Sequence, residues 1–167
     1  MTTDQQETTT GMTTVSTPSD REIVSKRVFD APRDRVFAAY TDPALIPQWW
    51  GPRRMTTIVD EMDVRPGGAW RFLQHDSNGD EHGFRGIYRE VTPPERLVQT
   101  FEWEGMPGHV LVETVTFEDL GGRTKMTTTS LFHTPRERDG MLASGMESGL
   151  TESHERLAEL LAREETR

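Results

Sequence analysis

The sequence predicts an α+β domain in which an antiparallel sheet of six to seven strands curves around a long C-terminal helix. Two observations carry this. Between residues 55 and 133, short runs of alternating polarity are cut by Pro66-Gly67-Gly68, Asn78-Gly79, Pro93-Pro94 and Gly121-Gly122, the punctuation of a strand meander. Beyond Thr134 that punctuation gives way to apolar residues at near-helical spacing, Leu142, Met146, Leu150, Leu157 and Leu161. Such a helix has one face to bury, and the sheet is the large apolar partner available.

The elements follow in order. Residues 1–20 are rich in Thr, Ser and Gln and hold no aromatic residue. They cannot bury enough apolar surface to offset the entropy of ordering, so they read as a disordered tail before a domain spanning 21–163. Glu22 to Phe29 reads as the first strand, and Pro32 opens a helix to about Tyr40. Asp42-Pro43 starts a second short helix ending near Trp49-Trp50-Gly51-Pro52. The six meander strands are Met55–Val64, Ala69–His75, His82–Glu90, Arg96–Glu104, His109–Glu118 and Thr124–His133. Thr134-Pro135-Arg136-Glu137 is a capping-box pattern that starts the last helix.

Strand alternation then assigns faces. A two-residue turn at Asn78-Gly79 sets Trp70 opposite Ile87, Phe72 opposite Arg85 and His75 opposite His82. A two-residue turn at Gly121-Gly122 sets Phe117 opposite Met126, Val115 opposite Thr128 and Glu113 opposite Ser130. The face holding Leu111, Glu113, Val115 and Phe117 reads as the inner one, and Thr116, Thr127 and Thr129 face solvent. Phe101 and Trp103 should also point inward, which needs a bulge or a loop of different length at Gly105–Gly108. Gly145 and Gly149 lie four apart on the last helix, which suits close helix–sheet packing, or space left for a ligand.

Composition excludes several functions. The chain has 167 residues, a net charge of −9 and no cysteine, so disulfide and thiolate chemistry are out. No basic stripe suggests nucleic acid, and the acidic balance disfavours anionic membranes. No apolar run reaches the ~18 residues of a membrane helix and no secretory signal is visible, so a cytoplasmic location is expected. None of the five histidines falls in an HxH or HExxH spacing. A metal between His75 and His82 is weaker than a solvated hairpin tip, and neither metal nor cofactor is expected. No Ser-His-Asp order or phosphate-cradling loop is seen. Catalysis would rest on Arg85 and Glu113, if both point inward.

The order strand, two helices, meander, long helix is that of the helix-grip fold, and the chain resembles the START-like (SRPBCC) superfamily. Within it, the chain is similar to bacterial domains related to the activator of the heat-shock ATPase. The matching stretches are Ala31-Pro32 through Phe37, Thr41-Asp42-Pro43, Trp49-Trp50-Gly51-Pro52 and Arg65-Pro66-Gly67-Gly68-Ala69-Trp70. They continue with Arg85-Gly86-Ile87-Tyr88, Pro93-Pro94-Glu95-Arg96-Leu97 and Gly145 to Leu150. One departure is Leu150, where relatives often carry tryptophan.

The resemblance implies a cavity between sheet and C-terminal helix that binds a small hydrophobic molecule, in a monomer or weak homodimer. The expected wall comprises Trp49, Trp50, Trp70, Phe72, Arg85 and Phe101, joined by Trp103, Glu113, Phe117, Phe132, Met146 and Leu150. It also implies a role, sequestering a toxic secondary metabolite as self-resistance. Two alternatives stand beside it: an enzyme of the polyketide cyclase or hydrolase type, and a chaperone-interaction module.

Overall fold

The centre of the sheet is set by Gly121-Gly122. Both residues take positive φ, 78° and 92°, which glycine adopts without strain, and Leu120 N donates to Arg123 O at 2.8 Å to close a two-residue turn. Such a turn leaves no slack in the register. The computed structural model describes residues 10–165. Its strands are β1 (Thr14–Ser16), β2 (Glu22–Phe29), β3 (Thr56–Met62), β4 (Ala69–His75), β5 (Glu81–Thr92), β6 (Arg96–Trp103), β7 (Leu111–Asp119) and β8 (Thr124–Leu131). The helices are α1 (Arg33–Thr41), α2 (Pro135–Ala143) and α3 (Met146–Glu165). All strands pair antiparallel in one sheet of order β1-β2-β8-β7-β6-β5-β4-β3. After β2 the chain crosses through α1 to the far edge, then returns strand by strand until β8 joins β2. This is the helix-grip arrangement.

The main core lies between the sheet, α1 and α3: Phe29, Val36, Trp70, Leu97, Phe117 and Leu157 are among its buried members. A second cluster of Ile23, Leu111 and Phe132 sits nearer α2 and takes in Met141 and Met146.

Four expectations are corrected. The sheet has eight strands rather than six or seven, because β1 adds to the free edge of β2, with Val15 opposite Ser25. This strand falls inside the stretch expected to be an unstructured tail; residues 1–9 of that stretch lie outside the described residues. The pairing is backbone hydrogen bonding along an open edge, which needs little apolar burial, and β-branched Thr14 and Val15 suit it. The second helix after Asp42-Pro43 shrinks to a single 3-10 turn at Ile46–Gln48.

The third correction concerns the β4–β5 hairpin. Its loop holds five residues, 76–80, because the Asp76 carboxylate accepts from the backbone N–H of Asn78 at 2.9 Å and of Asp80 at 3.0 Å. The register therefore moves by one residue: Trp70 faces Gly86 and Phe72 faces Phe84. A one-residue slip turns every β5 side chain to the other face. His75 meets Glu81 at 3.2 Å and His82 meets Asp76 at 3.3 Å, rather than each other.

The fourth is the C-terminal helix. Its start is as the sequence predicts: Thr134 Oγ1 accepts from Glu137 N at 3.2 Å, and the Glu137 carboxylate accepts from Thr134 N at 3.1 Å. The helix then breaks at Ser144-Gly145. Gly145 takes φ +84° just past the end of α2, the left-handed position that terminates helices. Close packing does not explain either glycine of the pair, since a Cβ on Gly145 or Gly149 would meet no atom within 4 Å. The loop after β6 is also longer than a four-residue turn: β6 ends at Trp103 and β7 begins at Leu111. That sets Phe101 opposite Leu111 and Gln99 opposite Glu113, with all four side chains facing inward.

Candidate functional site

Between the sheet and α3 lies a cavity of about 280 Å³. One wall is the Trp49–Pro52 segment, and helix α3 pins it. Ser153 Oγ donates to Trp49 O at 3.1 Å and accepts from Gly51 N at 3.2 Å, while Arg156 Nη1 donates to Gly51 O at 2.9 Å. Gly51 is a position of close approach, because a Cβ there would lie 2.0 Å from Gln74 Nε2. Trp49 is buried and its indole donates to Ala39 O at 2.9 Å, so it anchors the segment to α1. Trp50 packs edge-on against Phe72 and Phe84, at 5.1 and 5.3 Å between centroids. These interactions give rigid aromatic walls with little rotamer entropy left to lose on binding.

The opposite wall is the inner face of β6, β7 and β8. It carries the one carboxylate among the cavity-lining residues, Glu113, flanked by Gln99 and Ser130. Glu113 keeps some accessible area because it faces the open cavity, yet protein surrounds it in depth. Burial pushes its carboxyl up to about 7, against the smaller opposing effect of a hydrogen bond from Gln99. Tyr40 and Tyr88 also line the cavity. Burial raises both phenols, and for Tyr40 the nearby Glu113 adds to the rise. His154 closes the α3 side. It hydrogen-bonds Thr13 Oγ1 at 2.9 Å and stacks edge-on against Phe29, and burial, aided by Arg27, pushes it down to about 3. It is therefore a neutral imidazole at ordinary pH.

A second space, an apolar groove of about 530 Å³, runs along α2 and the β6–β7 loop. It shares Phe101, Leu111, Phe132 and Met141 with the cavity. The site thus has an oily outer part and an inner part where polar groups converge. His109 and Glu137 meet at the rim of the groove.

The structure sorts the sequence-predicted residues. Trp49, Trp50, Phe72, Phe101, Glu113 and Phe132 line the cavity, as do Met146 and Leu150. Trp103 is 39% exposed and lines the groove alone. Trp70 and Phe117 are core residues behind the wall. Trp70 donates to Thr100 O at 3.2 Å, and Phe117 packs edge-on against Phe37 and Tyr40. Arg85 is corrected outright: the one-residue hairpin shift puts it on the outer face, where it reaches Glu102 at 3.2 Å. Gly108 N and then Arg85 hold that glutamate below its usual range. Arg85 and Glu113 do not meet.

Sequence reasoning missed Tyr40, Tyr88 and Gln99 as lining residues. Gln99 was legible, since it alternates with Leu97 and Phe101 on one strand face. Tyr88 was hidden by the hairpin register. Among the described residues, no group of three or more His, Asp or Glu side chains could hold a metal ion, and no helix is long and apolar enough to cross a membrane.

An antiparallel sheet gripping a C-terminal helix around a cavity places the protein in the START-like class of folds. The family of activator of Hsp90 ATPase homolog 1-like proteins matches residues 30–162, and the chain belongs to that family. Among solved structures, a protein of Rhodobacter sphaeroides is 25% identical with a TM-score of 0.86, over 92% of this chain and 99% of that one. A protein of Arthrobacter aurescens is 25% identical with a TM-score of 0.84, over 90% of this chain and 91% of the other. DynU16, described as a putative protein in the dynemicin biosynthetic locus, shares the fold at 23% identity and a TM-score of 0.67. That match covers 87% of this chain and 48% of DynU16. No curated protein matches the chain.

Proposed function

We propose that this protein binds a small, largely apolar molecule in the space between sheet and C-terminal helices. The observation that carries the proposal is a cavity and an adjoining apolar groove that share Phe101, Leu111, Phe132 and Met141 as lining residues. A concave, mostly apolar site with a few convergent polar groups is the usual makeup of a ligand pocket. Rigid rings supply contact area, and Met141 and Met146 adapt to irregular shapes. Burying ~300 Å² of apolar ligand surface yields ~7 kcal/mol before association costs, so micromolar binding is reasonable. Sequestration of a toxic secondary metabolite fits this reading, and the fold shared with DynU16 is in keeping with it. We expect the protein to act in the cytoplasm as a monomer or weak homodimer, without nucleic acid or membrane partners.

Glu113 favours a second reading, acid–base catalysis on a bound substrate, because a carboxyl near 7 is suited to proton transfer. With Arg85 on the outer face, that reading keeps one of its two expected residues.

The neutral fluorophore N-phenyl-1-naphthylamine tests the binding proposal. We expect saturable 1:1 enhancement of its emission with a dissociation constant in the micromolar range. A signal that rises linearly with probe, without saturation, would contradict a defined cavity.

A further inference from the structure

From the placement of Glu113 we infer that the ligand carries a basic amine, seated against this carboxylate, on an apolar body that fills the rest of the cavity and the groove. The inference rests on the binding function proposed above and specifies its ligand.

Each element around the cavity offers neutral groups to Glu113: Tyr40 from α1, Gln74 from β4, Tyr88 from β5, Gln99 from β6 and Ser130 from β8. Helix α3 adds Ser153 and neutral His154. No lysine or arginine is among the lining residues. Buried carboxylates are ordinarily paired with a cation or held by several hydrogen-bond donors. Here Gln99 is the hydrogen-bond donor that favours the ionised form, and the raised carboxyl shows that it does not suffice. An ammonium group entering the cavity would complete the pair. A carboxylate or phosphate entering there would meet like charge with no counterion at the wall.

The apolar part is equally specified. The adjoining groove is walled by Trp103, Met106, Val110 and Phe132, and its polar groups, Arg136, Glu137 and His109, belong to α2 and the β6–β7 loop. An aromatic or alicyclic body fits that stretch, with the amine leading toward β7. Because an ammonium also loses its hydration on burial, the gain over a neutral isostere is moderate rather than vast.

Three matched probes test this on the intact chain at pH 8: 2-(1-naphthyl)ethylamine, 2-(1-naphthyl)ethanol and 3-(1-naphthyl)propanoate. We expect the amine to bind roughly 10-fold more tightly than the alcohol, with the carboxylate weakest. Glu113→Gln should remove the preference, weakening the amine far more than the alcohol. Wild-type protein gives a readout free of any folding effect. Lowering the pH to 5.5 protonates Glu113, so amine affinity should drop several-fold while alcohol affinity holds. Titration calorimetry near pH 7 in buffers of different ionisation enthalpy should show release of roughly half a proton on amine binding. If the alcohol binds wild type as tightly as the amine, or the preference survives in Glu113→Gln, the amine inference is overturned while the cavity reading stands. If none of the three probes binds and N-phenyl-1-naphthylamine also fails, the binding reading falls and takes the inference with it.

Discussion

Glu113→Gln should stabilise the protein at pH 8 by roughly 3 kcal/mol and leave it within about 1 kcal/mol of wild type at pH 4.5. The reason is linkage. The folded protein holds the Glu113 carboxyl near 7, against 4.5 as the ordinary value. A group whose affinity for its proton is raised on folding contributes stability that is fully present below 4.5 and is lost as pH rises through about 7. Glutamine keeps the shape and the hydrogen bonding but has no proton to lose. Its advantage therefore opens between these two values and is complete above them. For a chain of this length the shift in Tm at pH 8 should be roughly 6–12 °C. His154 acts in the other sense. Its folded value is depressed to about 3 from 6.5, so its contribution is present above 6.5 and is lost as pH falls. In wild type the two effects oppose each other between about 4.5 and 6.5, and stability should be nearly flat there. In Glu113→Gln the histidine acts unopposed, and stability should fall with pH from about 6.5 downward. Thermal melts across pH 4.5–8.5 check this. Parallel pH profiles for the two proteins would show that Glu113 is solvated, and the cavity wall would have to be redrawn.

Gly149→Phe should abolish most probe binding without harming the fold. Gly149 lines the cavity from α3, and a Cβ there meets nothing within 4 Å, so the new ring has room to enter. Glycine in a helix interior costs about 1 kcal/mol against alanine, and the ring would bury itself against apolar walls, so Tm should hold or rise. The ring would occupy much of a space of about 280 Å³, and affinity for N-phenyl-1-naphthylamine should fall by at least about 10-fold. Paired melts and titrations read this. A variant that melts normally and binds like wild type would mean that the ligand does not use this part of the molecule.

These expectations depend on side-chain direction, which was unevenly legible in the sequence. The β7–β8 hairpin was fully legible, because two glycines in a two-residue turn fix the register and hence place Glu113 inward. Asn78-Gly79 gave a turn but not its length. Asp76, two residues earlier, bonds the loop backbone and lengthens it, which turned Arg85 outward and Tyr88 inward. The start of α2 was legible from Thr134 and Glu137, since a capping box is local chemistry. The break at Gly145 was not, because a glycine at helical spacing can be an interior residue or a terminator, and neighbouring packing decides between them. Tyr40 reads as part of the apolar side of α1. Only the tertiary approach of β7 to α1 reveals its hydroxyl beside Glu113.

Methionine methyl NMR tests the central claim most directly, because the methionines sample both the site and its surroundings. Met141 and Met146 line the cavity, Met106 lines the groove, and Met12 is an exposed residue on the β1 side. On titration with N-phenyl-1-naphthylamine, the Met141 and Met146 methyl signals should shift strongly and saturate at one equivalent, shifted by the rings of the bound probe, while Met12 stays fixed. Saturable probe binding that leaves Met141 and Met146 unmoved would contradict a ligand site between the sheet and the C-terminal helices.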